Sequence, residues 1–275
     1  MNPPSLNTPL VDSHCHLDRL DLDPWDGKIS GALNSAAEQG VGHFLCVSID
    51  LEHYPDILEI AREHECVSVS VGVHPNESDG HEPTAEELVE LAADPQVVAI
   101  GETGLDYFRS QKNENDDLEW QRQRFRTHIS AAKQTSKPLI IHMREATEDT
   151  LRLLKEEGAD EVGGVMHCFV ENWDIAQRAL DLNFDISFSG ILTFNSAKEL
   201  KEVAAKMPAN RMLVETDSPY LAPVPYRGKP NYPAYVRKVA ECIADLRGMQ
   251  WEEVAGITTE NFYRRFPAVK SPITS

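Results

Sequence analysis

The sequence is poor in basic residues. Of its 275 residues, 26 are Lys or Arg and 45 are Asp or Glu, which gives a formal net charge of -19 at pH 7. This balance excludes a long basic surface that tracks the phosphates of duplex nucleic acid. It does not exclude a nucleic acid end in a pocket where bound cations supply the positive charge.

Cysteines are few, and long apolar runs are missing. The 5 cysteines are scattered and form no C-x-x-C pair, which excludes a disulfide framework and a structural zinc knuckle and is typical of a reducing compartment. No apolar run approaches the roughly 18 residues of a membrane helix, and the polar, proline-rich start lacks the pattern of a signal peptide. We therefore expect a cytoplasmic protein with no membrane partner and no required protein partner.

Short β-branched runs alternate with amphipathic helical patterns along the whole chain. The alternation is typical of repeated βα units around a parallel sheet. The number of runs predicts an α/β fold, a (β/α)8 TIM-type barrel, rather than an open doubly wound sheet. The predicted strands are 9–12, 42–48, 67–72, 97–101, 138–142, 162–167, 184–188 and 212–216.

The length suits one domain, and no internal repeat or long linker interrupts the pattern. We expect a single domain over residues 1–275, with a core at about 9–266 and a frayed tail at 267–275. The clearest predicted helix is Asn115–Thr135. The proline-rich stretch Ser218–Pro233 predicts a long ordered loop after the eighth strand, where barrel loops commonly reach the active site.

The strongest signal of a site is the pair His14 and His16, because residues i and i+2 of a strand project to the same side. Taken alone, the pair is explained equally well by two histidines satisfied by water or backbone at a strand end. Other residues that bind metals stand at the carboxyl ends of further predicted strands: Glu102, His142, His167 and Asp217. In a parallel barrel these ends converge on one face. The sequence therefore predicts that the whole set forms a metal site.

Four imidazoles and two carboxylates exceed the three protein ligands of a typical catalytic zinc. Two divalent ions with a bridging carboxylate fit the set better. The mixed nitrogen and oxygen donors suit zinc, manganese or iron, and magnesium where phosphate oxygens complete its shell, so they do not name the metal. Both carboxylates are predicted to be catalytic: Glu102 is the expected bridge, and Asp217 is the expected partner of the attacking water.

Several residues near the strand ends are candidates for substrate contacts. His74 follows the third strand and faces the same mouth, although a structural cap is the alternative. Arg144, Arg227 and Lys229 could hold a phosphate, and solvated surface charges explain them equally well. Asp106 is predicted to orient a ligand histidine, with a structural turn as the alternative. We expect the other histidines at the surface or in packing: His43, His53, His64, His81 and His128.

Motifs over most of the chain resemble the TatD family of metal-dependent deoxyribonucleases, in its YcfH-type branch, within the amidohydrolase superfamily. The matching segments are Val11–Asp18, Val71–Pro75, Gly101–Tyr107, Ile141–Arg144, Met166–Phe169, Phe188–Gly190 and Val214–Pro223, with a weaker match at Thr259–Phe262. Together these motifs are highly specific, and none of the proposed ligand positions departs from the family pattern.

The resemblance implies hydrolysis of phosphodiester bonds in DNA, often from an end. It also assigns the ligands: one metal binds His14, His16 and Asp217, the other binds His142 and His167, and Glu102 bridges the two. We accordingly expect an exonucleolytic deoxyribonuclease that acts on single strands or at strand ends. It is expected to bind two divalent ions and to use Asp217 as the general base for the attacking water. DNA is thus the expected substrate.

Two other functions stay open. The superfamily contains hydrolases of small amides, esters and lactones, many of which bridge their metals with a carbamylated lysine, but Val97–Tyr107 contains no lysine. A metal-binding scaffold without activity is the second alternative. The ligands lie at an open barrel mouth where Gly72, Gly101, Gly104 and Gly190 leave room for substrate, which favours an enzyme.

Overall fold

The computed structural model describes residues 9–110 and 118–270. Its strands are parallel, lie in chain order in one sheet and form a nearly closed barrel. A bridge between Cys15, at the end of β1, and Ser218, just after β8, links the first and last strands. This order confirms the predicted (β/α)8 barrel. The strands are β1 Leu10–Cys15, β2 Val41–Cys46, β3 Val67–Val71, β4 Val97–Asp106, β5 Leu139–Arg144, β6 Gly164–Met166, β7 Phe184–Phe188 and β8 Met212–Val214.

Helices alternate with the strands, as the sequence pattern predicts. They are α1 Ile29–Glu38, α2 Tyr54–Glu63, α3 Ala85–Leu91, α4 Tyr107–Ser110, α5 Glu119–Thr135, α6 Thr147–Glu156, α7 Trp173–Asp181, α8 Lys198–Lys206, α9 Val236–Arg247 and α10 Trp251–Arg265. Within the described ranges, none of these helices is both long enough and apolar enough to cross a membrane.

Local chemistry sets where helices begin and end. The Thr84 hydroxyl accepts a hydrogen bond from the Glu87 N–H at 3.2 Å, and the Glu87 carboxylate accepts one from the Thr84 N–H at 2.8 Å. This capping box satisfies two free N–H groups at the start of α3. At the end of α5, Ser136 adopts a left-handed φ of 55°, and Pro138 then directs the chain into β5.

The chain packs as two compact units. Within the part of the chain that the structure describes, the first comprises residues 9–46, 168–176 and 186–270, and the second comprises residues 47–110, 118–167 and 177–185. In the first unit the largest buried side chains include Phe44, Phe188 and Phe262, and the ring of His43 packs 5.6 Å from that of Phe262. Burial of each such aromatic ring stabilises the fold by about 1.5–3 kcal/mol.

The second unit has a largely aliphatic core that also contains the fully buried rings of Phe125 and Phe184. Phe125 of α5 and Leu88 of α3 are fully buried, as is Ile100 of β4. These residues lie on the inner faces of elements that the sequence pattern marked as amphipathic or strand-like. The single domain expected over residues 1–275 stays a prediction.

Some predicted bounds differ from the observed ones. Strand β4 was expected to end at 101, but it continues to Asp106 because its ladder with β5 extends to the pair Asp106 and Arg144. Strand β6 is shorter than predicted. Residues 115–117 of the predicted helix Asn115–Thr135, and residues 271–275 of the predicted tail, lie outside the described residues. The stretch 219–232 contains neither helix nor strand, which confirms the long loop predicted after β8.

Candidate metal centre

One group of metal-binding side chains, the His14 cluster, lies in the first unit and consists of His14, His16 and Asp217. The two Nε2 atoms of the histidines are 3.4 Å apart, and Asp217 Oδ1 lies 3.7 Å from His14 Nε2 and 3.5 Å from His16 Nε2. Both histidines are buried, whereas 13% of the Asp217 side chain is exposed. The carboxylate is therefore the member of the cluster that solvent reaches.

Backbone hydrogen bonds hold Asp217 beside the two histidines. The Asp217 N–H donates to His14 O at 2.9 Å, and the His16 N–H donates to Ser218 O at 2.8 Å. Asp217 has a φ of 56°, a left-handed conformation that Asp adopts more readily than most residues. The turn after β8 thus directs this carboxylate towards the end of β1.

Asp12 supports the cluster from within β1. Its carboxylate accepts hydrogen bonds from the Thr216 N–H at 2.8 Å and from the Thr216 hydroxyl at 2.6 Å. Burial raises the pKa of Asp12 to about 8, although the bonds from Thr216 oppose the shift. These bonds fix Thr216, and with it the adjacent Asp217, against β1.

The spacing within the His14 cluster fits a bound transition metal. In a tetrahedral site with metal–nitrogen bonds of about 2.0–2.1 Å, two ligand nitrogens lie about 3.3 Å apart. The separation of 3.4 Å between His14 Nε2 and His16 Nε2 matches that value. Two imidazoles and a carboxylate are also the donors that zinc and manganese prefer. The cluster therefore fits one divalent ion.

A second group, the Glu102 cluster, lies in the second unit and consists of Glu102, His74, His142 and His167. Glu102 Oε1 lies 2.9 Å from His167 Nε2, 3.0 Å from His142 Nδ1 and 3.4 Å from His74 Nε2. The carboxylate is buried, and a buried carboxylate beside the imidazoles of His142 and His167 is again a donor set for a divalent ion. Within this cluster, ligand atoms of His74, Glu102 and His142 all lie within 4.8 Å of one another.

The ladder between β4 and β5 brings Glu102 and His142 together. Gly104 pairs with His142 and has a φ of 135°, a conformation that residues other than glycine rarely adopt. A Cβ atom at Gly104 would collide with the carbonyl oxygen of His142. Glycine at this position therefore allows the close approach of the two strands on which the cluster depends.

Asp106 holds the ring of His142 from the side opposite to Glu102. Its Oδ2 lies 3.1 Å from His142 Nε2 and also accepts a hydrogen bond from Asn76 Nδ2 at 2.8 Å. Burial raises the pKa of Asp106, but these bonds outweigh it and hold the pKa below its usual value. For His142, burial lowers the pKa, and the bonds to Asp106 and Glu102 reverse this effect. With its Nε2–H donated to Asp106, His142 can present Nδ1 to an ion.

The tautomer of His74 follows from its contact with the backbone. Its Nδ1 lies 3.0 Å from the Asn76 N–H, which can only donate, so the neutral ring carries its proton on Nε2. Burial lowers the pKa of His74 to about 3, which keeps the ring neutral. In this form Nε2–H is a donor that faces Glu102, and His74 does not coordinate an ion through that nitrogen.

A buried polar face of α5 supports both His74 and Asp106. Gln121 accepts a hydrogen bond from the Asp106 N–H at 3.0 Å, and His128 Nε2 accepts one from the Val73 N–H at 2.9 Å. Arg124 donates to the carbonyl oxygen of His74 at 2.9 Å. These three residues of α5 are buried. The helix thus fixes the segment that carries His74 and the strand end that carries Asp106.

The predicted phosphate-binding residues are all exposed. The Arg144 guanidinium lies 4.1 Å from the centroid of the Phe108 ring, and that of Arg227 lies 4.4 Å from the centroid of the Phe194 ring. Lys229 is exposed in the loop after β8, and its backbone N–H donates to Tyr226 O at 3.0 Å. Stacking on a ring keeps the N–H edge of a guanidinium available for an anion.

The structure brings the predicted ligands together in two sets. His14, His16 and Asp217 meet in the first unit, and Glu102, His142 and His167 meet in the second. Sequence reasoning missed the supporting residues Gln121, Arg124 and Asn76 and the exposed ring of Phe108. It placed His128 only among surface or packing residues, although both of its ring nitrogens bond to backbone atoms.

Comparison with known proteins gives a consistent result. The family model described as "TatD related DNase" matches residues 11–267. The chain is 46% identical over 258 residues to the metal-dependent hydrolase YcfH of Escherichia coli K12, and the aligned region covers 94% of this chain and 95% of that protein. It is 42% identical over 260 residues to the metal-dependent hydrolase YabD of Bacillus subtilis, and this alignment covers 94% of this chain and 98% of that protein. Both relatives are described as uncharacterized.

A solved structure shows the same fold. The crystal structure of YJJV, a TatD homologue from Escherichia coli K12, superposes with a TM-score of 0.85 at 28% identity and covers 95% of this chain and 99% of that chain. The candidate His, Glu and Asp groups described above agree with the metal dependence in the names of the relatives.

Proposed function

Because this chain belongs to the TatD-related DNase family of metal-dependent hydrolases, we propose that it hydrolyses phosphodiester bonds of DNA. The proposed substrate is single-stranded DNA or the end of a strand, and the proposed reaction is exonucleolytic and starts at an end. We further propose a cytoplasmic location, which is supported by the absence of a disulfide bond among the 5 cysteines, all of which lie within the described residues.

The observation that carries this proposal is the presence of two ligand clusters, each with imidazole and carboxylate donors. In this proposal His14, His16 and Asp217 would hold one divalent ion, His142 and His167 would hold a second, and Glu102 is the carboxylate that both ions would share. Two ions would lower the pKa of a water molecule and neutralise the oxygens of an in-line displacement at phosphorus. Magnesium, manganese and zinc are the candidates.

We assign the proton transfer to Asp217. Its carboxylate is the exposed member of the His14 cluster and is held by the hydrogen bond from its own N–H to His14 O. A carboxylate in this position accepts the proton of the attacking water as a general base. Its conformation is fixed before substrate binds, so little reorganisation opposes the step.

The second unit supplies a hydrogen-bond donor for the substrate. The Nε2–H of His74 faces the Glu102 cluster, and the Asn76 N–H fixes this tautomer. We propose that it donates to an oxygen of the bound phosphodiester as charge develops there. Arg144, Arg227 and Lys229 are the cations we assign to neighbouring phosphates, since guanidinium and ammonium groups bind phosphate oxygens.

The charge of the chain favours ends over internal duplex sites. With 45 acidic and 26 basic residues, the surface repels a long duplex rather than tracking it. A short single strand presents fewer phosphates to this surface and depends more on the local cations. The charge of the surface therefore favours a DNA strand that enters the site by its end.

The test uses single-stranded DNA oligonucleotides labelled at either end, together with a circular single strand of the same composition. Metal-stripped protein is resupplied with magnesium, manganese or zinc, and products are resolved at single-nucleotide steps. We expect stepwise shortening of the linear strand from one end and no cleavage of the circle.

Glu102→Gln is the matched inactive variant, and Glu90→Gln, on the exposed face of α3, is its control. Shortening should vanish in the first and persist in the second. Cleavage of the circle would contradict the requirement for an end. Bound metal without cleavage of any strand would contradict the nuclease and favour a small amide, ester or lactone as substrate.

A further inference from the structure

Phe108 is an exposed aromatic ring at the carboxyl end of the barrel strand that carries Glu102. It lies in α4, immediately after β4, and 53% of its surface is exposed. A single exposed apolar side chain is ordinary at a protein surface, and what distinguishes this ring is its position directly after the strand of Glu102 and its contact with an arginine. The guanidinium of Arg144 lies over the ring, 4.1 Å from its centroid.

Arg144 is placed beside the Glu102 cluster by the strand register. It lies two residues after His142 on β5, so the two side chains project from the same face, with Cα atoms about 7 Å apart. In the ladder between β4 and β5, the backbone of Arg144 lies opposite that of Asp106, and the Asp106 carboxylate contacts the His142 ring. On this face of β5, Arg144 is therefore the first residue after His142, which is a proposed metal ligand.

Arg144 is held by a ring and not by a carboxylate. Most arginines near the second unit's surface pair with acidic groups: Arg62 with Asp94, Arg122 with Glu119, and Arg178 with Glu148. Among the described residues, no carboxylate lies within salt-bridge distance of the Arg144 guanidinium. In a chain of net charge -19, a guanidinium that stacks on a ring and has no acidic partner among these residues is suited to an external anion.

We propose that Phe108 and Arg144 form a nucleotide subsite next to the scissile bond, and this inference rests on the proposed action on DNA. Arg144 donates its N–H edge to the phosphate that follows the one being hydrolysed. The exposed part of the Phe108 ring stacks on the base of the same nucleotide, which gives affinity without base specificity. The pair thereby binds the ordered strand next to the metal ligands.

The experiment measures binding separately from hydrolysis. A fluorescein-labelled single-stranded DNA of five nucleotides is titrated with metal-stripped full-length protein in EDTA, and anisotropy gives the dissociation constant. A second DNA carries abasic sites throughout. Phe108→Leu should weaken binding of the normal strand about 5- to 100-fold, the range expected for loss of one base–aromatic stack. It should leave binding of the abasic strand within about twofold.

Arg144→Lys tests the stacked guanidinium, because lysine keeps the charge but loses the planar donor edge. It should weaken binding of both strands. Its matched control is Arg237→Lys, since Arg237 stacks 4.2 Å from the centroid of the Trp251 ring on helices that carry none of the metal candidates. This control should bind like the parent protein. Circular dichroism and the melting temperature confirm that each variant folds.

Three results would overturn the subsite: no binding of the normal strand, equal binding by Phe108→Leu, or an equal loss for the abasic strand. The subsite and the nuclease fail separately. A protein that binds the strand through Phe108 but never shortens it contradicts the nuclease alone. A protein that shortens the strand with unchanged affinity in Phe108→Leu contradicts the subsite alone.

Discussion

Asp106 Oδ2 lies 3.1 Å from His142 Nε2, on the side of the imidazole ring opposite to Glu102. This single contact fixes which nitrogen of His142 faces the Glu102 cluster. A carboxylate that accepts the Nε2–H also raises the basicity of Nδ1 and so strengthens its bond to an ion. The orientation of the proposed ligand therefore depends on a residue that does not itself bind the ion.

Asp106→Asn should weaken metal binding about 10- to 100-fold, the range for loss of a carboxylate behind a ligand histidine. The amide cannot provide the negative charge that stabilises this orientation of His142. Competition with a fluorescent chelator measures the affinity. Asp149→Asn, which alters a partly exposed carboxylate bonded to Tyr107, is the control and should bind metal normally. If the two variants bound the metal with equal affinity, the proposal that Asp106 orients His142 would be contradicted.

Asp217→Asn should lower kcat for DNA hydrolysis about 10²- to 10⁴-fold at saturating metal, because an amide cannot accept the proton of the attacking water. KM should change little, since the side chain is assigned to proton transfer rather than to substrate binding. Steady-state kinetics with a labelled single strand provides the measurement. Full activity of this variant at saturating metal would contradict the general-base role.

His128→Leu should lower the free energy of unfolding by about 1–3 kcal/mol at pH 7.5, because the buried Val73 N–H loses its acceptor. Burial lowers the pKa of His128 from 6.5 to about 4. The stability that depends on the neutral ring is therefore present above pH 6.5 and is lost as the pH falls towards 4, by about 1.4 kcal/mol per pH unit.

The difference between the parent protein and His128→Leu should accordingly narrow between pH 6.5 and pH 4. Urea unfolding at a series of pH values measures it. His81→Gln, a change at an exposed histidine, is the control and should follow the parent curve. A difference that stays constant over this range would contradict the neutral buried state of His128.

Gly104→Ala should lower the free energy of unfolding by about 1–3 kcal/mol, because the backbone there has a φ of 135° and the new Cβ meets the carbonyl oxygen of His142. The strand shift should also weaken metal binding. Gly248→Ala is the matched control: it has a φ of 65° with open space around the Cβ. It should lose about 1 kcal/mol of stability and bind metal normally. Normal metal binding by Gly104→Ala would show that the metal site does not depend on the close approach of β4 and β5 at Gly104.

The barrel and the ligand types could be predicted from the sequence because both follow from periodic patterns. Each buried strand shows as a short β-branched run, and a parallel barrel places the ends of these runs on one face. The two-residue period of an extended chain predicts that His14, in β1, and His16, directly after β1, project to the same side. The structure confirms the barrel and places the Nε2 atoms of the two rings 3.4 Å apart.

The supporting contacts could not be predicted in the same way. Gln121, Arg124 and His128 are polar residues on a helix, a pattern that normally indicates a solvated face, yet all three are buried against backbone groups of distant segments. The tautomer of His74 depends on one backbone N–H. The stacking of Arg144 on Phe108 depends on the register of β4 and β5, which composition and periodicity do not specify.

Manganese is titrated into metal-stripped protein, and both the bound metal and the release of nucleotides from single-stranded DNA are followed in the same sample. We expect no release from the stripped protein and release that begins only as the second equivalent of manganese binds. Release without bound metal, or two bound equivalents with no release of nucleotides, would contradict a metal-dependent deoxyribonuclease.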